Sequence, residues 1–284
     1  MKKILVLLLA VLLCFSLCAC GGENKTENNK TQQVNESELL GEWYEVKSAD
    51  RLVLNSDGSL DYYKNNSFAQ PGHWELNGGV INANNTYIYN GLSIEYKNGT
   101  LCLKNDECTF LRWSELPKEK LTVGDSGQKE NVGFTLKGIE FTTEIPDCML
   151  NRWGNTYEIE GFVLPDGMTY AKISIDVLNM SKLEINIPDT NLDLDVILNY
   201  NNGFIYATHD NQNSYFTTDT DYVIHEGIGG QRGTDIQIQP LQTKSLDIYI
   251  PCPELIANDE NSPLSVGIIS HYDTEIYYCE YSIR

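Results

Sequence analysis

The chain has 284 residues and carries 40 Asp and Glu against 20 Lys and Arg, a formal net charge of −20 at pH 7. A field of that sign repels nucleic acid and anionic lipid headgroups, so no nucleic-acid partner is expected, and membrane contact cannot come from the folded surface. The excess is uneven: 25 acids face 8 bases from residue 122 onward, against 13 and 8 over residues 36–121. It reads as solubility in a salty exterior, with cation binding as the alternative.

Lys2 and Lys3 open the chain, and Ile4 to Leu17 is almost wholly apolar. That run is shorter than the roughly 20 residues that span a bilayer. A basic start before a short apolar stretch is the pattern of a secretory signal. The residues that follow, Leu17-Cys18-Ala19-Cys20, resemble a bacterial lipobox. The resemblance implies a signal peptide over residues 1–19, removed with Cys14 and Cys18, and a diacylglycerol on the thiol of Cys20. It thereby implies localisation at the cell membrane, lipid-anchored on the extracytoplasmic side. The other reading is a plain secretory signal, with Cys20 an ordinary cysteine. Several acyl chains at ~0.8 kcal/mol per buried methylene give a long-lived anchor. Residues 20–37 are rich in Asn, Lys, Thr, Gln and Glu without apolar periodicity, the composition of a flexible tether.

Residues 38–114 form a first β unit. Short β-prone runs alternate with turn signals at Asp57-Gly58, Asn77-Gly78 and Asn98-Gly99. Asn-Gly between alternating apolar runs is a hairpin signal, because the turn needs positive φ at both central positions. The series predicts an up-and-down meander, and closing it into a barrel removes its edges. Leu40-Gly41-Glu42-Trp43, Leu52-Val-Leu-Asn-Ser-Asp-Gly-Ser59, Gly72-His-Trp74 and Thr109-Phe-Leu-Arg-Trp113 resemble the small lipocalin-like domains of bacterial lipoproteins. The resemblance implies a barrel able to hold a small apolar ligand, with Trp43 and Trp74 as candidate ligand contacts. Both are equally read as barrel core.

Residues 115–121 contain Pro117 and several charges and read as a linker. Over residues 122–284 strand-like runs return at 132–144, 170–180, 192–200, 222–226, 244–251, 264–270 and 275–283. With no helical period among them, they predict a two-sheet sandwich. Val123-Gly124-Asp125, Phe134-Thr-Leu-Lys-Gly-Ile-Glu-Phe, Tyr170-Ala-Lys-Ile-Ser-Ile-Asp-Val-Leu-Asn179 and Pro240-Leu-Gln-Thr-Lys-Ser-Leu-Asp-Ile-Tyr-Ile250 resemble immunoglobulin-like domains of Gram-positive lipoproteins of unknown function. A long middle, residues 199–233, departs from that pattern. Loops on a rigid sandwich commonly carry function. The expected fold class is therefore all-β: a small lipocalin-like barrel followed by an immunoglobulin-like sandwich.

An exported chain can form disulfides. Cys102 and Cys108 flank a short turn and are candidates for one bridge, and Cys252 and Cys279 for another, leaving Cys148 odd. The alternative is that all five are reduced and buried. No Cys-x-x-Cys follows residue 20, so zinc and redox chemistry have no motif. Gly-x-Ser-x-Gly, His-Glu-x-x-His and a phosphate loop are likewise missing. The cluster Gly227 to Gly233 lacks the Lys-Ser/Thr ending of such a loop. His73, His209, His225 and His271 have no partner at metal-ligand spacing. Asp193 and Asp195, and Asp219 and Asp221, would each share a strand face. They are candidate calcium ligands, or solvated strand faces. No cofactor is expected. Seventeen tyrosines and four tryptophans would suit sugar stacking, and equally suit sheets.

The expected role is a non-enzymatic surface lipoprotein that recognises a protein or envelope component. The alternative is capture of a small ligand, calcium or carbohydrate by the barrel or the sandwich loops. A cell-wall or glycan hydrolase is a third class.

Overall fold

A computed structural model of the chain describes residues 34–64, 67–84, 91–97, 100–144, 148–151, 156–158, 164–187, 192–207, 215–217, 223–226, 232–272 and 275–284. The first unit contains β1 (Gly41–Glu45), β2 (Arg51–Leu54), β3 (Ser59–Lys64), β4 (Ser67–Asn77), β5 (Val80–Asn84), β6 (Leu92–Lys97), β7 (Thr100–Lys104) and β8 (Thr109–Leu111). Each strand pairs antiparallel with the next, and β8 returns to β1 with Leu111 opposite Tyr44, closing an up-and-down barrel. Turn chemistry fixes the registers. Gly78 and Gly79 have φ of +60° and +83°, the left-handed pair that a two-residue hairpin turn requires. The turn is therefore one residue later than Asn77-Gly78 suggests, and Asn77 ends β4 opposite Val80. Asn98-Gly99 lies outside the described residues, with Lys97 and Thr100 paired on either side.

Strand alternation sorts the barrel's two faces. Trp43, Leu52, Leu54, Leu60, Ile81, Leu92, Leu103 and Phe110 are almost fully buried and share cross-strand neighbours, such as Trp43 with Leu52 and Leu54 with Leu60. Tyr62 meets Phe110 edge to face at 6.4 Å. A one-turn helix, α1 (Glu36–Leu39), sets Leu39 against this interior. Leu39 O accepts the Trp43 indole N–H at 2.8 Å. Arg112 lies over the Trp43 ring at 3.9 Å and donates to the carbonyls of Glu38, Leu40 and Glu42, which ties the helix to the barrel.

The remaining strands are β9 (Glu119–Thr122), β10 (Ser126–Lys129), β11 (Val132–Thr142), β12 (Cys148–Asn151), β13 (Thr156–Glu158), β14 (Met168–Asn179), β15 (Ile185–Ile187), β16 (Leu192–Tyr200), β17 (Phe204–Ala207), β18 (Tyr215–Thr217), β19 (Val223–Glu226), β20 (Arg232–Ile238), β21 (Thr243–Pro253), β22 (Leu264–Tyr272) and β23 (Glu275–Ser282). Each of the seven expected runs holds a strand among its described residues. They build one sheet in the order β10-β11-β14-β21-β18-β12-β13 and another in the order β17-β16-β22-β23-β9, with a small sheet β15-β20-β19 beside them. The core between the two large sheets holds alternate residues: Ile173, Ile175 and Val177 of β14 and Ile248 and Ile250 of β21 on one side, Val196, Leu198, Val266 and Ile268 on the other. The fold is all-β, a closed barrel followed by a sandwich.

The segment read as a linker is built into this structure. Trp113–Glu115 forms a 3-10 turn, and Glu119–Thr122 pairs parallel to β23, with Glu119 opposite Cys279. Residues from Glu36 to Arg284 form one compact unit. The reason is apolar: Trp113 and Leu116 are buried, a feature that the surrounding charges and Pro117 obscure in the sequence.

Candidate functional site

The five-stranded sheet has a second face, turned away from the sandwich core. Ile197, Ile269 and Tyr278 project from it and form a cluster with Tyr44 of the barrel's outer face, Trp113 and Leu116. Tyr44 and Tyr278 meet the Trp113 ring edge-on, at 5.6 and 6.4 Å. The Tyr278 hydroxyl donates to the carbonyls of Glu45 and Ser48, at 2.7 and 3.0 Å.

Glu280 stands on the same face. Its Oε1 accepts from the Trp113 indole at 3.0 Å and from Ser265 at 2.9 Å. Its Oε2 is bound by Lys120 and lies 3.8 Å from Lys118 Nζ. Burial opposes the charge on Glu280, but these cations and donors prevail and hold its pKa below the ordinary value. The Lys118 side chain is fully shielded, against the Trp113 ring at 4.7 Å. Burial pushes its pKa down to about 8, with Glu280 resisting.

Beside this junction lies a cleft of about 570 Å³, within the range of ligand sites. Leu40, Glu42, Arg112 and Ser114 line one side, and Asn199, Asn202 and residues Phe204, Ile205 and Tyr206 the other. The hairpin from β16 to β17 positions that second wall. Asn201 and Asn202 have φ of +50° and +55°, and Gly203 N–H bonds Tyr200 O at 3.3 Å. Asn tolerates this region better than other non-glycine residues, so Asn201-Asn202-Gly203 specifies the turn. Asn199 is 7% exposed, and its Oδ1 is buried without a hydrogen-bond partner. Glu42 is the one carboxylate among the described residues of the lining; it pairs with Arg51 at 3.3 Å and accepts from the Tyr44 hydroxyl. Burial lowers the Arg112 pKa to about 10. Phe204 is 58% exposed on β17, which is the outermost described strand of its sheet.

The structure places the sequence-predicted residues differently. Trp43 and Trp74 are buried within the barrel, and the Trp74 indole donates to Asn55 O at 3.0 Å. Cys102, Cys108, Cys252 and Cys279 are all free thiols, so both expected bridges are corrected. Leu103 faces Phe110 and Lys104 faces Thr109, which leaves Cys108 in the turn beside Asn105 and Cys102 farther up β7. Cys252 stands opposite Thr169 in one sheet and Cys279 opposite Ile268 in the other. Burial raises both thiols to about 12.

Asp195 is completely buried opposite Ile269, not on a solvated strand face. Of Asp193 and Cys148 only the backbone is described, and Asp219, Asp221 and His209 lie outside the described residues, as does Cys20. Among the described residues, no group of three His, Cys, Asp or Glu side chains is placed to hold a metal ion. His73 lies in β4, His225 in β19 and His271 in β22, so the fold does not gather them in one sheet. No described helix is long and apolar enough to cross a membrane.

No family model matches the chain, and no curated protein matches it. Among solved structures it is similar to an uncharacterised β-sandwich protein from Clostridium difficile 630, with 21% identity over 61% of this chain and 99% of that one, at a TM-score of 0.37. A conserved hypothetical protein from Bacillus anthracis matches with 10% identity over 52% of this chain and 89% of the other, at 0.28. A family 123 glycoside hydrolase from Clostridium perfringens matches with 11% identity over 52% of this chain and 27% of that enzyme, at 0.24. Likenesses at these scores assign no activity.

Proposed function

We propose that the protein is a lipid-anchored surface protein, held at the membrane through Cys20, that recognises a partner protein through the exposed edge of its sandwich. The observation that carries this reading is Phe204: a large aromatic side chain, 58% exposed, on a sheet edge beside a cleft. Aromatic residues are enriched among the few side chains that dominate binding energy at interfaces. The cleft favours binding over hydrolysis. Glycoside hydrolysis uses two carboxyl groups about 5–9.5 Å apart, whereas among the described residues the lining offers Glu42 alone, already engaged by Arg51 and Tyr44. The lipobox-like Leu17 to Cys20 supports surface display, and the polar run after it supports presentation away from the bilayer.

The test is photo-crosslinking on intact cells, with a benzophenone amino acid at position 204 and, as control, at Val123, which is 44% exposed. A discrete protein adduct from 204 and not from 123 is expected. No adduct from 204, or the same adducts from both positions, would overturn the reading.

A further inference from the structure

Sheet edges are usually protected from pairing by charge, proline or bulges. Two described edges of the sandwich follow that rule. β9, Glu119–Thr122, carries Glu119 and Lys120, and β10, Ser126–Lys129, ends in Lys129. β17 does not: its sequence is Phe-Ile-Tyr-Ala, with no charge and no proline. It pairs with β16 on one side, Phe204 opposite Tyr200 through Ala207 opposite Ile197, and among the described strands nothing pairs with its other side. Residues 204–206 line part of the cleft.

We infer that β17 receives an extended, positively charged peptide segment of the partner as an added strand. This rests on the partner-protein reading above and names its mode. Strand addition draws affinity from main-chain hydrogen bonds and specificity from alternate side chains. Four residues of β17 present about 13 Å of edge at ~3.3 Å per residue, and exposed Phe204 offers an apolar contact at its start.

The sign of the occupant follows from charge. Residues 122–284 hold 25 acids against 8 bases. Locally, Asn201 N–H bonds Pro263 O at 2.8 Å, which sets the β16–β17 turn against the loop carrying Asp259 and Glu260. Glu36 and Glu38 stand on the helix that leads into the opposite wall. Arg112 spends its guanidinium on three backbone carbonyls. Complementary potential steers encounter and selects partners.

The probe is a short synthetic peptide alternating lysine and leucine, read by fluorescence anisotropy against the purified full chain. Its controls are a glutamate–leucine peptide and a lysine–leucine peptide N-methylated at alternate backbone nitrogens. The lysine peptide is expected to bind, with each control weaker by about tenfold or more. Phe204→Lys should weaken binding by a similar factor, and Val123→Lys should leave it unchanged. Equal binding of the N-methylated peptide, indifference to Phe204→Lys, or no binding of the lysine peptide would overturn strand addition. Should crosslinking from position 204 still capture one protein, the partner reading stands and only this mode falls. Loss of both results ends both.

Discussion

The Trp113 ring occupies the space that any side chain at Gly267 would need. A Cβ there would clash with Cζ2 of the indole and lie 2.7 Å from Cη2. The glycine is thus required by close packing, since its φ lies outside the left-handed region. The contact seats the barrel's last residues on the outer face of the sandwich sheet.

Gly267→Ala should therefore destabilise the chain by about 1–3 kcal/mol through overpacking. Trp113→Leu removes the obstructing ring, at its own cost in buried surface. The double variant should be more stable than the two single losses predict when added. Urea unfolding of all four proteins measures that coupling. Additive losses would mean that the ring and the glycine do not meet.

Glu280 gathers Lys118, Lys120, Trp113 and Ser265. Its folded pKa lies below the ordinary value, so its contribution is present at neutral pH and lost as pH falls through the folded value. Glu280→Gln should cost about 1–3 kcal/mol at neutral pH, because it weakens charge-assisted hydrogen bonds and leaves Lys118 to shed its proton more readily. The loss should shrink on acidification. NMR of the lysine side chains should find Lys118 titrating at about 8, and lower still in Glu280→Gln.

Cys252 and Cys279 have folded pKa values of about 12, raised by burial from an ordinary 9.0. Protection of the neutral thiols stabilises the fold below pH 9 and is lost as pH rises through the folded values. Urea midpoints should fall as pH rises from about 9 toward about 12, and less so in Cys252→Ala, Cys279→Ala. Alkylation of native protein near neutrality should spare both residues, while unfolding without reductant should expose all four described thiols. Mass spectrometry counts them, and a bridged pair would contradict the structure.

Trp43 is fully buried in the barrel, so Trp43→Ala should cost about 3–5 kcal/mol. Apolar small molecules should leave the thermal midpoint of the unaltered protein where it is. A reproducible upward shift with such a ligand would show that the interior opens to admit it.

Local pattern made much of the fold legible. Alternation in Tyr170-Ala-Lys-Ile-Ser-Ile-Asp-Val and turn residues such as Asp57-Gly58 expose strands and hairpins directly, because side-chain period and φ preference are properties of neighbouring residues. What stayed hidden depends on contacts between distant residues. Asp195 and Ile197 alternate like a solvated strand face until the barrel covers that face. Cys102 and Cys108 suit a bridge by spacing, and the β7–β8 register separates them. Gly267 sits in an ordinary strand, and only Trp113, far away in sequence, explains it. The nearest sequence signal for the candidate site was Asn201-Asn202-Gly203, a turn followed by four uncharged residues in the long middle segment.

Hydroxyl-radical footprinting tests the claim of edge recognition most directly, comparing the protein on intact cells with the purified chain. Phe204 should be strongly labelled in the purified chain and protected on cells, while Val123 should be labelled alike in both. Equal labelling of Phe204 on cells and in isolation would mean that the edge is unoccupied where the protein works, and would contradict edge recognition.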